Sequence, residues 1–259
     1  MEKQNQGKML KKFWLTLLFW LIGIFILHLI SRLFQIKISA VDMLISNLIV
    51  IGLILLINWL YTKEKIYFKW FGMRRIGWLW LFMPVYIVAI NVMFKTIPSE
   101  TSLRISLDPM FWLFYTLSTS SIPVVTFFGV LLPAMLHEWK TENVVTKSVV
   151  ACSALYSVFQ IFLLNDLYGG VLETIYQLVA AFSLGLVCAL LYLRSVNIIV
   201  PLFFSFIEAF FAVILTHIAP LFGSGIVNIL FFILFAFLVI KVILKPSAIQ
   251  QIQNDFEVK

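Results

Sequence analysis

The chain has 259 residues, 62% of them hydrophobic and only 12% charged, with a mean hydropathy of +1.04 and a formal net charge of +7. Soluble domains are about half apolar and about a quarter charged, so this composition does not fit a water-soluble core. The positive balance does not point to nucleic acid either, because the basic residues cluster beside apolar runs, as the loop charges that orient a membrane protein do.

Taken in order, residues 1–12 are polar and basic, with Lys3, Lys8, Lys11 and Lys12. The apolar run 13–30 is longer than a signal-peptide core and lacks a small-x-small cleavage site, which predicts an uncleaved first span. A second span is predicted over 41–61. The following loop mixes Lys63, Lys65, Lys69, Arg74 and Arg75 with Tyr67, Phe68, Trp70 and Phe71, a combination suited to the headgroup level. A third span covers 76–94, kinked at Pro84, and a polar loop follows over 95–108.

Residues 109–121 are aromatic but broken by the Ser118–Ser121 cluster. They read either as an interfacial piece or as the loose start of span four, which runs over 122–138. Span five covers 147–164, with a turn at Gly169-Gly170 after it. Span six covers 174–193, span seven 196–218 and span eight 226–244, stopped by Pro246. Residues 246–259 read as a polar, frayed cytoplasmic tail. No linker separates two domains, so residues 13–245 form one all-α membrane domain of eight helices.

Charge counting gives an orientation. With the N-terminus inside, fifteen of the 19 basic residues fall inside: Lys3, Lys8, Lys11, Lys12, Lys63, Lys65, Lys69, Arg74, Arg75, Lys140, Lys147, Arg194, Lys241, Lys245 and Lys259. Four, Arg32, Lys37, Lys95 and Arg104, remain outside. This bias predicts an N-in, C-in chain with an even number of spans. It suits a bacterial plasma membrane, with lipid as the immediate partner.

Ionisable groups within the membrane are costly and each needs a reason. Glu138 ends span four, where the helix dipole disfavours an acid. Glu208 lies near the middle of span seven, where a lone carboxylate is protonated or paired across the bundle. Ser205 is one turn before it. Tyr156 and Gln160 share a face of span five. Cys152 and Cys188 read as small buried hydrophobes. Asp42, His28 and His217 fall near the outer surface, and Asn58, Asn91 and Asn228 are assigned no role. No His/Cys/Asp cluster has metal-ligand spacing, and no Gly-rich phosphate loop is present.

The order of these features resembles the CAAX-protease and bacteriocin-processing (CPBP/Abi) family of intramembrane proteases over residues 132–211. The likeness is clearest in 177–205, with its central Gly185, its Leu191-Tyr192-Leu193-Arg194 end and Pro201 further on; the loop ending Phe71-Gly72-Met73-Arg74-Arg75 is similar too. The resemblance implies eight helices and three motifs: Glu-Glu followed three residues later by Arg, Phe-x-x-x-His, and His-x-x-x-Asn. The glutamates activate a water, and the histidines and Asn stabilise an oxyanion or hold a metal.

Carried over by position, the acid pair falls on His137-Glu138 and the motif Arg on Glu142. Phe-x-x-x-His falls on Tyr156 and Gln160, and His-x-x-x-Asn on Ser205 and Ala209. Both motif histidines are absent, and Gln and Ser cannot replace them as base or ligand. The leading expectation is a catalytically degenerate member that binds a peptide, a lipidated peptide or a membrane partner, in bacteriocin immunity or regulation, without a cofactor. The alternative is an active endopeptidase whose catalytic groups are Glu138 and His137 and whose cavity is lined by Glu142, Tyr156, Gln160, Ser205 and Glu208. A divalent metal belongs only to that alternative. A third reading, a small carrier relaying a proton between Glu138 and Glu208, lacks the internal repeat common in carriers.

Overall fold

Long apolar runs leave the backbone nothing to bond to but itself, and helices follow. The computed structural model describes residues 40–69, 109–139, 143–164, 171–216 and 245–258, together with helical positions at 230, 233–234, 237 and 240–241. The regular elements among the described residues are all helices, with no strand among them; an isolated bridge pairs Phe68 with Asn197. The expected first and third spans, their loops, most of span eight, Lys140, Glu142, His28, His217, Asn91 and Asn228 lie outside the described residues.

Helix α1 covers Ala40–Ile57 and ends in a wide π turn over Asn58–Thr62. The Lys63 N–H reaches back five residues to the Asn58 carbonyl, and Lys63 takes a left-handed conformation that turns the chain out of the helix. A single helical rod then runs from residue 109 to residue 138, in three parts. Helix α2 covers Pro109–Pro123, a π-helical stretch covers Val124–Leu131, and α3 covers Leu132–Glu138. The π stretch lies between Pro123 and Pro133, where missing N–H groups break the regular ladder and a wider turn takes up the strain. The Phe127 carbonyl accepts the Leu132 N–H five residues on and, in addition, the Cys152 thiol, which donates to it at 3.0 Å.

Helix α4 covers Val144–Leu164, α5 Val171–Ser195, α6 Ile199–Thr216 and α7 Pro246–Asp255. The most extensive pairing is α4 against α5; α2 packs on both α1 and α6, and α5 on α6. Small residues let α4 and α5 approach: Ala181, Gly185 and Ala189 recur every fourth residue on α5, with Ala181 and Ala189 buried, and Gly185 is set against Ser153 and Tyr156 of α4. A Cβ on Gly185 would stand 3.1 Å from Tyr156 Cδ1 and 3.2 Å from Ser153 Cα, so a larger residue would push α4 away by a few tenths of an ångström.

Two described stretches, Ser120–Glu138 and Leu178–Ser195, are long and apolar enough to cross a membrane. Both are mostly buried within the bundle. Large apolar side chains instead face outward from α1 (Leu48, Ile49, Leu53 and Leu56), from Trp59 in the π turn after it, and at Leu230, Ile233, Leu234 and Phe237. The tail departs from the sequence reading. Residues 246–255 are helical, and Ala248, Ile252 and Phe256 are buried against the bundle, with Phe256 wholly so. The four-residue spacing of these three apolar groups gives an otherwise polar helix one apolar stripe, and that stripe docks.

Candidate functional site

The site-bearing residues fall into two groups. The first is built at one end of the bundle from four segments distant in sequence. The segment 63–69 lies across the α5–α6 turn, fixed by the Lys69 N–H to the Val196 carbonyl at 2.9 Å and the Ile198 N–H to the Tyr67 carbonyl at 3.1 Å. The Tyr67 N–H donates to the Tyr192 hydroxyl at 3.1 Å. The turn itself is shaped by Ser195, whose hydroxyl donates to the Leu191 carbonyl, by Val196 in a left-handed conformation, and by Asn197 Oδ1, which accepts from the Ile199 N–H as α6 begins. Phe256 of the tail inserts here, its ring centroid 4.6 Å from that of Tyr67 and 5.5 Å from that of Tyr192. Burial, with the Glu257 and Glu64 charges adding to it, raises the Tyr67 phenol above its ordinary value.

His137, in the last turn of α3, joins these pieces. Its Nδ1 lies 2.9 Å from Glu64 Oε2 and its Nε2 lies 2.8 Å from the Phe256 carbonyl oxygen. Glu64 is well shielded, its side chain 7% exposed. Both ring nitrogens therefore face acceptors, and only the doubly protonated imidazolium can donate to both. Two helix C-termini, those of α3 and α7, also point their negative ends toward the ring, which favours the same form. Glu138 is half-buried beside this pair, and the charge that bears on it is that of Glu64.

The second group lies inside the helix bundle. The Tyr156 hydroxyl has Gln160 and Ser205 as side-chain hydrogen-bond partners, and Glu208 and Cys188 lie within electrostatic reach of it. Tyr156, Ser205 and Glu208 are buried, and the Tyr156 ring is held edge-on by Phe127 and at a tilt by Phe128. Among the described residues no cation pairs with Glu208.

The structure thus brings together Tyr156, Gln160, Ser205 and Glu208, four of the side chains singled out from the sequence. His137 and Glu138 belong to the other group, and Glu142 lies outside the described residues. Sequence reading missed Glu64, Tyr67, Tyr192 and Phe256. For Phe256 a signal existed in the stripe of Ala248, Ile252 and Phe256. For Glu64 there was none, since its partner His137 is 73 residues away. Among the described residues no three His, Cys, Asp or Glu side chains gather so as to hold a metal ion. The chain matches no protein-family model, no curated protein sequence and no solved structure.

Proposed function

We propose that this chain is a CPBP/Abi-like bundle of eight membrane-spanning helices, N-in and C-in in a bacterial plasma membrane, that has lost proteolysis and acts by binding. Its ligand is a peptide, a lipidated peptide or a membrane partner, in bacteriocin immunity or in regulation of an envelope system. The observation that carries the reading is the engagement of His137. Both its nitrogens are taken, by Glu64 and by the Phe256 carbonyl, so the one imidazole near Glu138 is not free to act as a base. The positions where the resemblance expects histidines hold Gln160 and Ser205, hydrogen-bonded to Tyr156. The eight-span reading gains support from geometry, since the segments around 64, 137, 195 and 256 meet at one end and the charge count puts all four on the inner side.

One observation favours an active CAAX-type endopeptidase instead. Glu64 and Glu138 lie close enough for their charges to interact, so two segments supply the carboxyl pair that the first motif lacks. Membranes containing the wild-type chain or Glu138→Gln, incubated with prenylated CAAX-type peptide and with a leader-bearing bacteriocin-like peptide, decide between the two. No cleavage by either is expected. Cleavage by wild type that disappears in Glu138→Gln, with insertion intact, overturns the proposal.

A further inference from the structure

The C-terminal helix α7 meets the bundle through an apolar face and through the Phe256 carbonyl, which lies against the His137 ring. Its ten residues fall below the ~12–15 that an isolated helix needs in water, so its order depends on docking. The docked face is made of Ala248, Ile252 and Phe256, with Ile249 and Val258 partly buried beside them, and Pro246, Gln250, Gln251 and Asn254 are exposed on the other side. The Lys69–Asp255 ion pair, 3.8 Å long with the lysine about half exposed, adds little. The tail also meets α3 at the His137 ring, whose Nε2 lies 2.8 Å from the Phe256 carbonyl oxygen.

We propose that the C-terminal helix is a proton-gated cover over this end of the bundle: it docks while His137 carries both ring protons and lets go when the ring is neutral. The neutral ring keeps one N–H. It can then serve either Glu64 or the Phe256 carbonyl, and its bare nitrogen faces the lone pairs of the other. The charged groups that bear on the ring are Glu64 from the 63–69 segment and Glu257 from the tail, both acidic. Glu138 adjoins it on its own helix. Lys147 stands in the first turn of α4, which also packs on the tail. The sign follows from what the tail brings: on docking the ring gains the Phe256 carbonyl as an acceptor and the Glu257 charge near it, both of which favour its protonated form, so docking is tighter below the ring's titration and the hold is lost as pH rises through it. Release uncovers Tyr67 and Tyr192. The inference concerns the tail alone and stands whether or not the chain binds a peptide.

A spin label on Gln251→Cys reads the docking in the full chain. Position 251 is exposed, while Cys152 and Cys188 are buried and escape labelling. The label is expected to be restrained at about pH 5.5 and freely mobile at about pH 9, on either side of an imidazole titration. In His137→Gln that pH dependence is expected to vanish. In Glu64→Gln the midpoint is expected to fall by about one pH unit, because the anionic partner is gone while an acceptor remains. Phe256→Ala, which leaves all the titrating groups in place, fixes the signal of the undocked tail. Equal mobility of the wild-type label at both pH values overturns the proposal, as does an unchanged midpoint in His137→Gln. Should His137→Gln fail to insert, an unchanged midpoint in Glu64→Gln overturns it equally.

Discussion

Tyr156 shows how a polar group is kept inside an apolar bundle. Its ring fills the space between Phe127 and Phe128 and lies against Gly185, while its hydroxyl serves Gln160 on its own helix and Ser205 on α6. Tyr156→Phe keeps the packing and removes only the hydroxyl, leaving Ser205 and Gln160 with a lost partner. A net cost of about 1–2 kcal/mol is expected, read as a lowered thermal midpoint in detergent. A double cycle with Ser205→Ala should return a coupling of about 0.5–2 kcal/mol; strict additivity would mean that the hydroxyl bonds elsewhere. The i, i+4 relation of Tyr156 to Gln160 was legible in the sequence, because helical spacing alone puts them on one face. That Ser205 joins them was legible only through the resemblance. The partnership of His137 with Glu64 and Phe256 was not legible, since tertiary contacts between distant segments leave no local pattern.

At the scale of elements, two glycines in neighbouring apolar contexts have opposite requirements. A Cβ at Gly52 in α1 meets nothing within 4 Å, whereas one at Gly185 in α5 meets Tyr156 and the Ser153 backbone. Gly52→Ala is expected to be neutral or to stabilise by up to about 1 kcal/mol through helix propensity. Gly185→Ala is expected to destabilise by about 1–3 kcal/mol, because the backbone of α4 must shift. Unfolding of both variants in the same detergent checks the contrast, and equal effects would refute the close crossing. Residues 109–121 show why helix boundaries were harder to read. The Ser118–Ser121 cluster looks like a loop signal, yet the Ser120 hydroxyl bonds the Thr116 carbonyl at 2.6 Å, and the Thr126 hydroxyl the Ile122 carbonyl at 2.8 Å. Hydroxyls that bond one turn back are satisfied within a helix, so they do not end it. The tail was misread for the converse reason: its polar composition hid a short apolar face of Ala248, Ile249, Ile252, Phe256 and Val258.

At the scale of the whole molecule, continuous apolar runs gave α4, α5 and α6 to within a few residues of their bounds, because such runs have one low-energy solution away from water. Orientation needs an independent test, and the helix lengths provide one. Helix α4 has 21 residues and so spans roughly 30 Å at ~1.5 Å per residue, the thickness of a bilayer core. Asn143 precedes it and Asp166 follows it, so in a membrane the two belong to opposite faces. Lys65, Asn143 and Gln251 are exposed; the segments of Lys65 and Gln251 are joined through His137, and Asn143 adjoins the start of α4, which packs on the tail helix. Single cysteines at these three positions should react with a membrane-impermeant maleimide only after the cells are opened. A cysteine at Asp166 should react in intact cells, since the charge count places it outside. Labelling of Asn143→Cys and Asp166→Cys from the same side would mean that α4 does not cross, and the bundle would have to be a buried core rather than a set of spans. Labelling of all four with the sides exchanged would keep the crossing and reverse the orientation.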